Sequence, residues 1–448
     1  MKLTIKVITM LCFVIIQLKA HSQSRILEAI PVDSVVSDFP VNFAFTAKKD
    51  WQFIAYYNKD RSLTVAGKKE SETNWKIKTL PTKVGWDSHN SIVLALDRDN
   101  CLHVSGNMHN DSLIYFKTQK PFDVTTFEKI FPLVNAKDEL SSTYPSFIKD
   151  AKGKLIFMYR KGGSGNGNTI NIAYDEKNKS FSRLSTDFLF DGMNQMSAYS
   201  TAPKLGKDGY FHMAWVWRDT PHSETNHDLS YAKSKDLVNW ETMDGQKGKL
   251  PISPLNKQFI VDPVPAGGGI INGGFEMFFD KNHNPFFAYH KYDKNGFSQM
   301  YIAKSDKQTW QIAQVSDWNH RWDFKGPGSI TGELKITSAQ ITEQEVIKVN
   351  YWHVKRNNGQ VMIDLKTLKT ISDFETKSEE ENIYPTELNR ALSGTAGMTP
   401  KWQMANQVKG YFYAFRWETL GKRRFYEKVE TPVKPVLMYL YKVSKSYE

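Results

Sequence analysis

One unit recurs seven times along this chain of 448 residues: a polar turn of Asp, Lys, Asn or Gly, a strand of alternating apolar residues, a polar or basic tip, and a second strand. Clear copies are DRDNCLHVSGNMHNDSLIYFKT, GKDGYFHMAWVWRDTPHSETNHDLSYAKS and DKNHNPFFAYHKYDKNGFSQMYIAKS. Copies begin roughly fifty to seventy residues apart, which suits a four-stranded blade with variable loops better than any helical repeat. Long helical periodicity is absent beyond the N-terminal segment. The fold class expected is all-β, a seven-bladed β-propeller. A sandwich joined to a barrel would leave seven similar hairpins unexplained.

Lys2 and Lys6 precede an apolar run from Val7 to Leu18, and Ala20 and Ser22 supply the small residues that a signal peptidase requires. Residues 1–22 are therefore expected to be a cleaved secretory signal, its apolar run too short to span a bilayer. Residues 23–448 are expected to form a single propeller domain, secreted or periplasmic, monomeric and without membrane insertion. Cys12 would leave with the signal and Cys101 would remain alone, so an exported chain of this kind has no internal disulfide and depends on a large buried core. The net charge of +11 falls by three once Lys2, Lys6 and Lys19 leave. The surplus is diffuse, which favours an acidic ligand, or no particular partner, over nucleic acid. The aromatic content of 13%, with 12 Trp, serves a β-rich core and stacking on sugar faces equally well.

In a propeller, the residues that follow equivalent strands gather at one mouth of the central channel. Those tips read Tyr57 with Asn58, Asn107 with His109, Tyr159 with Arg160, Trp217 with Arg218, His290 with Lys291, His353 with Lys355, and Arg416 with Trp417. Nearly every blade delivers a cation or an imidazole, and Asp219 is the one carboxylate close by. Hydrolysis by paired carboxylates is poorly served by such a mouth. Removal of the proton α to a uronic acid carboxylate is well served. A cation neutralises the carboxylate and stabilises the enolate-like intermediate, a His or Tyr takes the proton, and another proton reaches the departing glycosidic oxygen. Arg218, His290, Lys291 and Arg321 are the candidates to bind further acidic groups of such a substrate. His103 and His212 alternate with apolar residues inside their strands and read as structural. His222 and His227 lack the partner spacing of a zinc site, and no metal is expected there.

Two copies close with SKDLVNW and SDKQTW, forms of the S-x-D-x-G-x-T-W turn of sialidase-type propellers that lack its glycine. The segments DSHN, GNMHN, TYPSF, MYRKGGSGNGN, WRDTPHSETNHDLSYAKS, YHKYDKNG and RWDFKGPGSI resemble the BNR-repeat propellers that include the ulvan lyases of polysaccharide lyase families 24 and 25, family 25 more closely. The resemblance implies four catalytic residues. Arg160 would neutralise a carboxylate, His89 and Tyr144 would move protons, and His109 would orient or polarise, the assignment of base and acid staying open. The implied partner is ulvan, an acidic sulfated polysaccharide, cleaved by syn β-elimination at glucuronic or iduronic acid linked to sulfated rhamnose. No cofactor is implied, and structural calcium or zinc stays open, although KGGSGNGN lacks the histidine and cysteine ligands of the zinc in some family 24 lyases. Two alternatives remain. One is an exo-acting rhamnosidase on rhamnose-capped glucuronate, disfavoured because Phe39 stands in SDFPVNF where such relatives place a histidine. The other is a noncatalytic glycan-binding propeller.

Overall fold

Each recurring unit folds as the middle hairpin of a sheet. Trp51–Tyr57 pairs with Ser62–Lys69, Leu102–Ser105 with Tyr115–Thr118, Leu155–Gly163 with Asn166–Asp175, and Phe211–Arg218 with Asn226–Ser234. Pro285–Tyr292 pairs with Ser298–Asp306, Val346–His353 with Asn357–Asp364, and Tyr411–Thr419 with Val436–Ser444. These elements belong to a computed structural model that describes residues 24–306, 309–376, 384–385, 388–408, 410–421 and 433–444; the expected signal, 1–22, lies outside them.

An inner and an outer strand complete each sheet. The inner strands are Ala44–Lys48, Val93–Leu96, Ser142–Lys149, Ser197–Ser200, Phe275–Phe279, Leu334–Ile341 and Thr399–Val408. Ala44–Lys48 touches both Val93–Leu96 and Thr399–Val408, so the first blade meets the second on one side and the last on the other. The outer strand of the last blade comes from the opposite end of the chain: Ile26–Val35 runs antiparallel to Val436–Ser444. That exchange closes the ring, and the fold is a seven-bladed β-propeller. Among the described residues the longest helix is the four-residue Ala136–Glu139.

Aspartates build several of the polar turns of the repeat. Asp150 accepts from the backbone N–H groups of Lys152 and Lys154, and Asp280 from those of Asn282 and Asn284, so one short side chain closes the link from inner to second strand. In SKDLVNW, Asp236 accepts from the N–H groups of Val238 and Asn239, and Trp240 is buried beneath. Leu237 there takes φ +65, a conformation that glycine adopts without strain. SDKQTW includes residues 307 and 308, which lie outside the described set.

Core residues pack between neighbouring blades. Phe43 of the first stacks on Trp417 of the last with centroids 4.6 Å apart, and Phe190, Trp215 and Trp217 fill the seam of the third and fourth. Two buried histidines repeat one arrangement. His103 hydrogen-bonds Tyr115 (2.7 Å) and Asp97 (3.1 Å), and His212 hydrogen-bonds Tyr231 (2.7 Å) and Asp208 (3.1 Å). Both are structural, as their alternation suggested.

Burial lowers the pKa of His103 and His212 and pushes His290 and His353 down to about 4, from an ordinary 6.5. Burial also lowers His227, but hydrogen bonds and charge from Asp228 and Asp219 outweigh it and raise that group. Four rings therefore bind protons more weakly folded than unfolded, and one more strongly. Stability should fall as pH drops below 6.5, each net proton adding about 1.4 kcal/mol per pH unit. Urea unfolding across pH 4 to 7 checks this. Replacing His290 with Phe should remove about one proton from the slope.

Candidate active site

The loop 84–91 links the outer strand of the first blade to the inner strand of the second. Arg61 fastens it: Nε donates to the Val84 carbonyl (3.0 Å), Nη2 to that of Gly85, and the guanidinium pairs with Asp38 (2.8 Å) and stacks on Trp86 (4.0 Å). The Tyr57 hydroxyl donates to the Asn90 carbonyl at 2.7 Å. On this rigid loop Asp87 opens a turn, its Oδ1 accepting from the backbone N–H of His89 at 2.8 Å. The turn presents His89.

His109 begins the short strand His109–Asp111, which pairs with the inner strand of the third blade, His109 opposite Thr143. There the register slips between the pairs Thr143–Arg160 and Ser146–Met158, leaving Tyr144 and Pro145 facing one residue. This bulge re-aims a side chain. Tyr144 sits at φ +55, a left-handed conformation costing a non-glycine residue about 1 kcal/mol or more, and its side chain turns outward, 37% exposed. His89 and His109 stack with centroids 4.6 Å apart, and Tyr144 lies 6.4 Å from His89 and 6.1 Å from His109.

One carboxylate holds both imidazoles. Asp87 Oδ1 accepts from His89 Nδ1 at 2.7 Å, and Oδ2 accepts from His109 Nδ1. Burial pushes the Asp87 carboxyl up, but these hydrogen bonds more than reverse the effect and hold it well below the usual carboxylate range. Among the described residues, Asp87, His89 and His109 are also the one trio whose donor atoms, within 4.8 Å of one another, could hold a metal ion.

Arg160 is the fourth member. It is 4% exposed, its Nε donates to the Gly162 carbonyl at 3.2 Å, and Nη1 and Nη2 have no hydrogen-bond partner. The guanidinium lies under the rings of Tyr144 (4.8 Å) and Tyr199 (5.5 Å). Gly167 is required beside it, because a Cβ there would stand 2.8 Å from Arg160 Cδ. A cavity of about 590 Å³ is lined by His89, Tyr144, Arg160, Tyr199 and Arg218, with His109 stacked behind His89.

The four residues expected to bind substrate do not converge in this way. Arg218 lines the cavity, but its guanidinium donates to the carbonyls of Thr220, Pro221 and His222 and so organises that loop. His290 is buried, its Nδ1 donating to the Gly269 carbonyl at 2.9 Å, and as a neutral ring it adds no charge to the mouth. Lys291 pairs with Asp262 at 2.6 Å. Arg321 stacks on Tyr292 at 3.7 Å and donates to the Gly296 carbonyl. None of the last three lines the cavity. Sequence reasoning missed Asp87, two residues before His89 in DSHN, and Tyr199, whose place depends on the strand pairing of the fourth blade.

The bulge makes a prediction. Tyr144→Gly relieves the left-handed strain, so its melting temperature should match or exceed wild type while any reaction that uses the phenol is lost. Tyr144→Phe keeps strain and shape and should lose the reaction alone. Calorimetry with turnover on an acidic polysaccharide separates the two effects.

Comparison with solved structures finds the same fold in two polysaccharide lyases. The polysaccharide lyase Uly1 superposes with a TM-score of 0.63 at 13% identity, covering 94% of this chain and 99% of its own. A PL25 ulvan lyase gives 0.57 at 12%, covering 93% and 96%, as does its complex with -[GlcA(1-4)Rha3S]-. At such identities the likeness is one of fold. No curated protein matches the sequence. Residues 51–318, more than half of the chain, match the BNR repeat-containing family, and the protein belongs to it.

Proposed function

We propose that the protein is an exported polysaccharide lyase that cleaves ulvan, or a closely related sulfated uronate polymer, by β-elimination. The observation that carries this reading is Arg160, a buried guanidinium whose two terminal nitrogens lack hydrogen-bond partners beside a cavity shared with His89 and Tyr144. Unpartnered buried donors on a cation are costly, and a planar carboxylate accepting from both is the ligand that best relieves them. For that ligand to arrive, the Tyr144 ring must rotate off the guanidinium, and its exposure leaves it room to do so.

With its carboxylate held by Arg160, the uronate's α-carbon becomes acidic, since negative charge developing toward that carboxylate is stabilised by the cation. His89 takes the α-proton, and the electrons of the C–H bond form the double bond between the α and β carbons. The bond from the β-carbon to the glycosidic oxygen breaks, and Tyr144 supplies a proton to that oxygen. The two rings lie 6.4 Å apart, close enough to serve the neighbouring carbon and oxygen of one residue, which supports a syn elimination. The rhamnosidase alternative finds no support at Phe39, which is buried against Arg61 and Trp86 and can relay no proton.

A second cavity, of about 760 Å³, has in its wall Asp87, the carboxylate that holds both histidines, together with Lys83, Asp111, Lys129 and Phe131. Phe131 is exposed and offers a platform for a sugar face, while Lys83 and Lys129 offer charge to sulfate. A polymer threaded past the histidines would occupy both cavities.

Three measurements test this reading. Ultraviolet absorbance of the conjugated unsaturated uronate should appear when purified protein meets ulvan. Arg160→Ala should lose at least about a hundredfold in rate with its fold intact, Arg160→Lys recovering only part, since an ammonium makes no bidentate contact. Replacing Lys83 and Lys129 together with Ala should raise KM for the polymer several-fold, more at low than at high salt, and leave KM for the shortest cleavable oligosaccharide unchanged. Wild-type rates in Arg160→Ala would remove the proposed mechanism.

A further inference from the structure

The Asp87 bridge extends the lyase reading to a residue outside the reacting set. We infer that Asp87 is a positioning residue that fixes the tautomer of both His89 and His109, placing the proton of each neutral ring on Nδ1. The inference rests on the lyase reading for its kinetic consequence but not for its structural content.

A neutral imidazole carries one proton, on Nδ1 or on Nε2, and the partner of one nitrogen decides the state of the other. Here both Nδ1 atoms address the same carboxylate, each on its own oxygen. An ionised carboxylate accepts and cannot donate, so both rings must place their proton on Nδ1. The carboxyl is held ionised by the hydrogen bonds themselves, and its position is set by the His89 backbone N–H and by a loop tied down through Arg61 and Tyr57. His89 lines the cavity, and on the lyase reading its Nε2 is the nitrogen that takes the substrate's α-proton. His109, stacked behind it at 4.6 Å, shares the anchor and keeps the His89 ring from rotating.

An amide at this position breaks the arrangement in a specific way. Asn has one acceptor oxygen and one donor nitrogen, so Asp87→Asn can accept from one ring but must donate to Nδ1 of the other. That ring is driven to carry its proton on Nε2. The geometry is nearly unchanged, yet one histidine holds the wrong tautomer, as when the orienting carboxylate of a Ser-His-Asp triad is replaced by its amide.

The test uses the full-length mature protein with nitrogen-15 in its histidines, read by NMR without substrate, with His89→Gln and His109→Gln for assignment. Wild type should show both rings with the proton on Nδ1, and Asp87→Asn should show one of them with the proton on Nε2. Turnover of ulvan by Asp87→Asn should fall at least about a hundredfold in kcat, with KM within about twofold of wild type. Asp87→Glu, which keeps two acceptors at a longer reach, should recover part of kcat. The inference is overturned if both rings keep one tautomer in Asp87→Asn, or if wild type carries the proton on Nε2. It is overturned equally if chelators abolish activity and a divalent ion restores it, because the trio would then be metal ligands. Loss of the lyase reading itself would appear separately, as absence of turnover in a wild-type protein whose tautomers are as described.

Discussion

Closure of the ring is the constraint on which the rest of the structure depends. Every blade buries its faces against its neighbours, so an open end would expose two apolar faces at once. The pairing of Ile26–Val35 with Val436–Ser444 prevents this by building the last blade from both ends of the chain. Phe43 stacking on Trp417 seals the same seam from within. Once the ring is closed, a loop on one blade has a fixed distance to a loop on another. The histidines come from the links around the second blade, and Tyr144 and Arg160 from adjacent strands of the third. They meet because the two blades cannot move apart.

Within that frame the site stores two local costs. Tyr144 occupies a left-handed conformation at a bulge, and Arg160 keeps two terminal nitrogens without hydrogen bonds beneath aromatic rings. A chain selected for stability alone would remove both, the first with glycine and the second with a neutral side chain. The second is intelligible if a substrate's carboxylate satisfies the guanidinium and displaces the ring that covers it, and the first is what aims that ring. Asp87 adds the complementary order, holding two imidazoles in one orientation before any substrate arrives.

Legibility in the sequence followed the range of the interactions concerned. All seven hairpins could be read because they are local: a polar turn, alternation, and a return strand within some thirty-five residues. The partner of Ile26–Val35 could not, since pairing across the whole chain leaves no local mark. His89, His109, Tyr144 and Arg160 stood in segments with a family resemblance, and the structure brings them into one place. The substrate-binding set was read from position at the strand ends, which says nothing of which way a side chain points. His290 and Lys291 are neighbours on one strand and face opposite ways, one into the core beside Trp322 and the other toward Asp262. Asp87 was overlooked for a related reason, because its role appears only when two histidines from different loops are seen to share it.

Elimination and hydrolysis of the polymer differ in the fate of oxygen. Digestion of ulvan in water enriched in heavy oxygen, followed by mass spectrometry of the fragments, tests directly which of the two occurs. Elimination predicts new non-reducing ends lighter by one water than hydrolysis would leave, with no heavy oxygen incorporated by the cleavage step. Fragments of full mass carrying one heavy oxygen per bond broken would mean that water attacks the linkage, and would contradict the reading of Arg160, His89 and Tyr144.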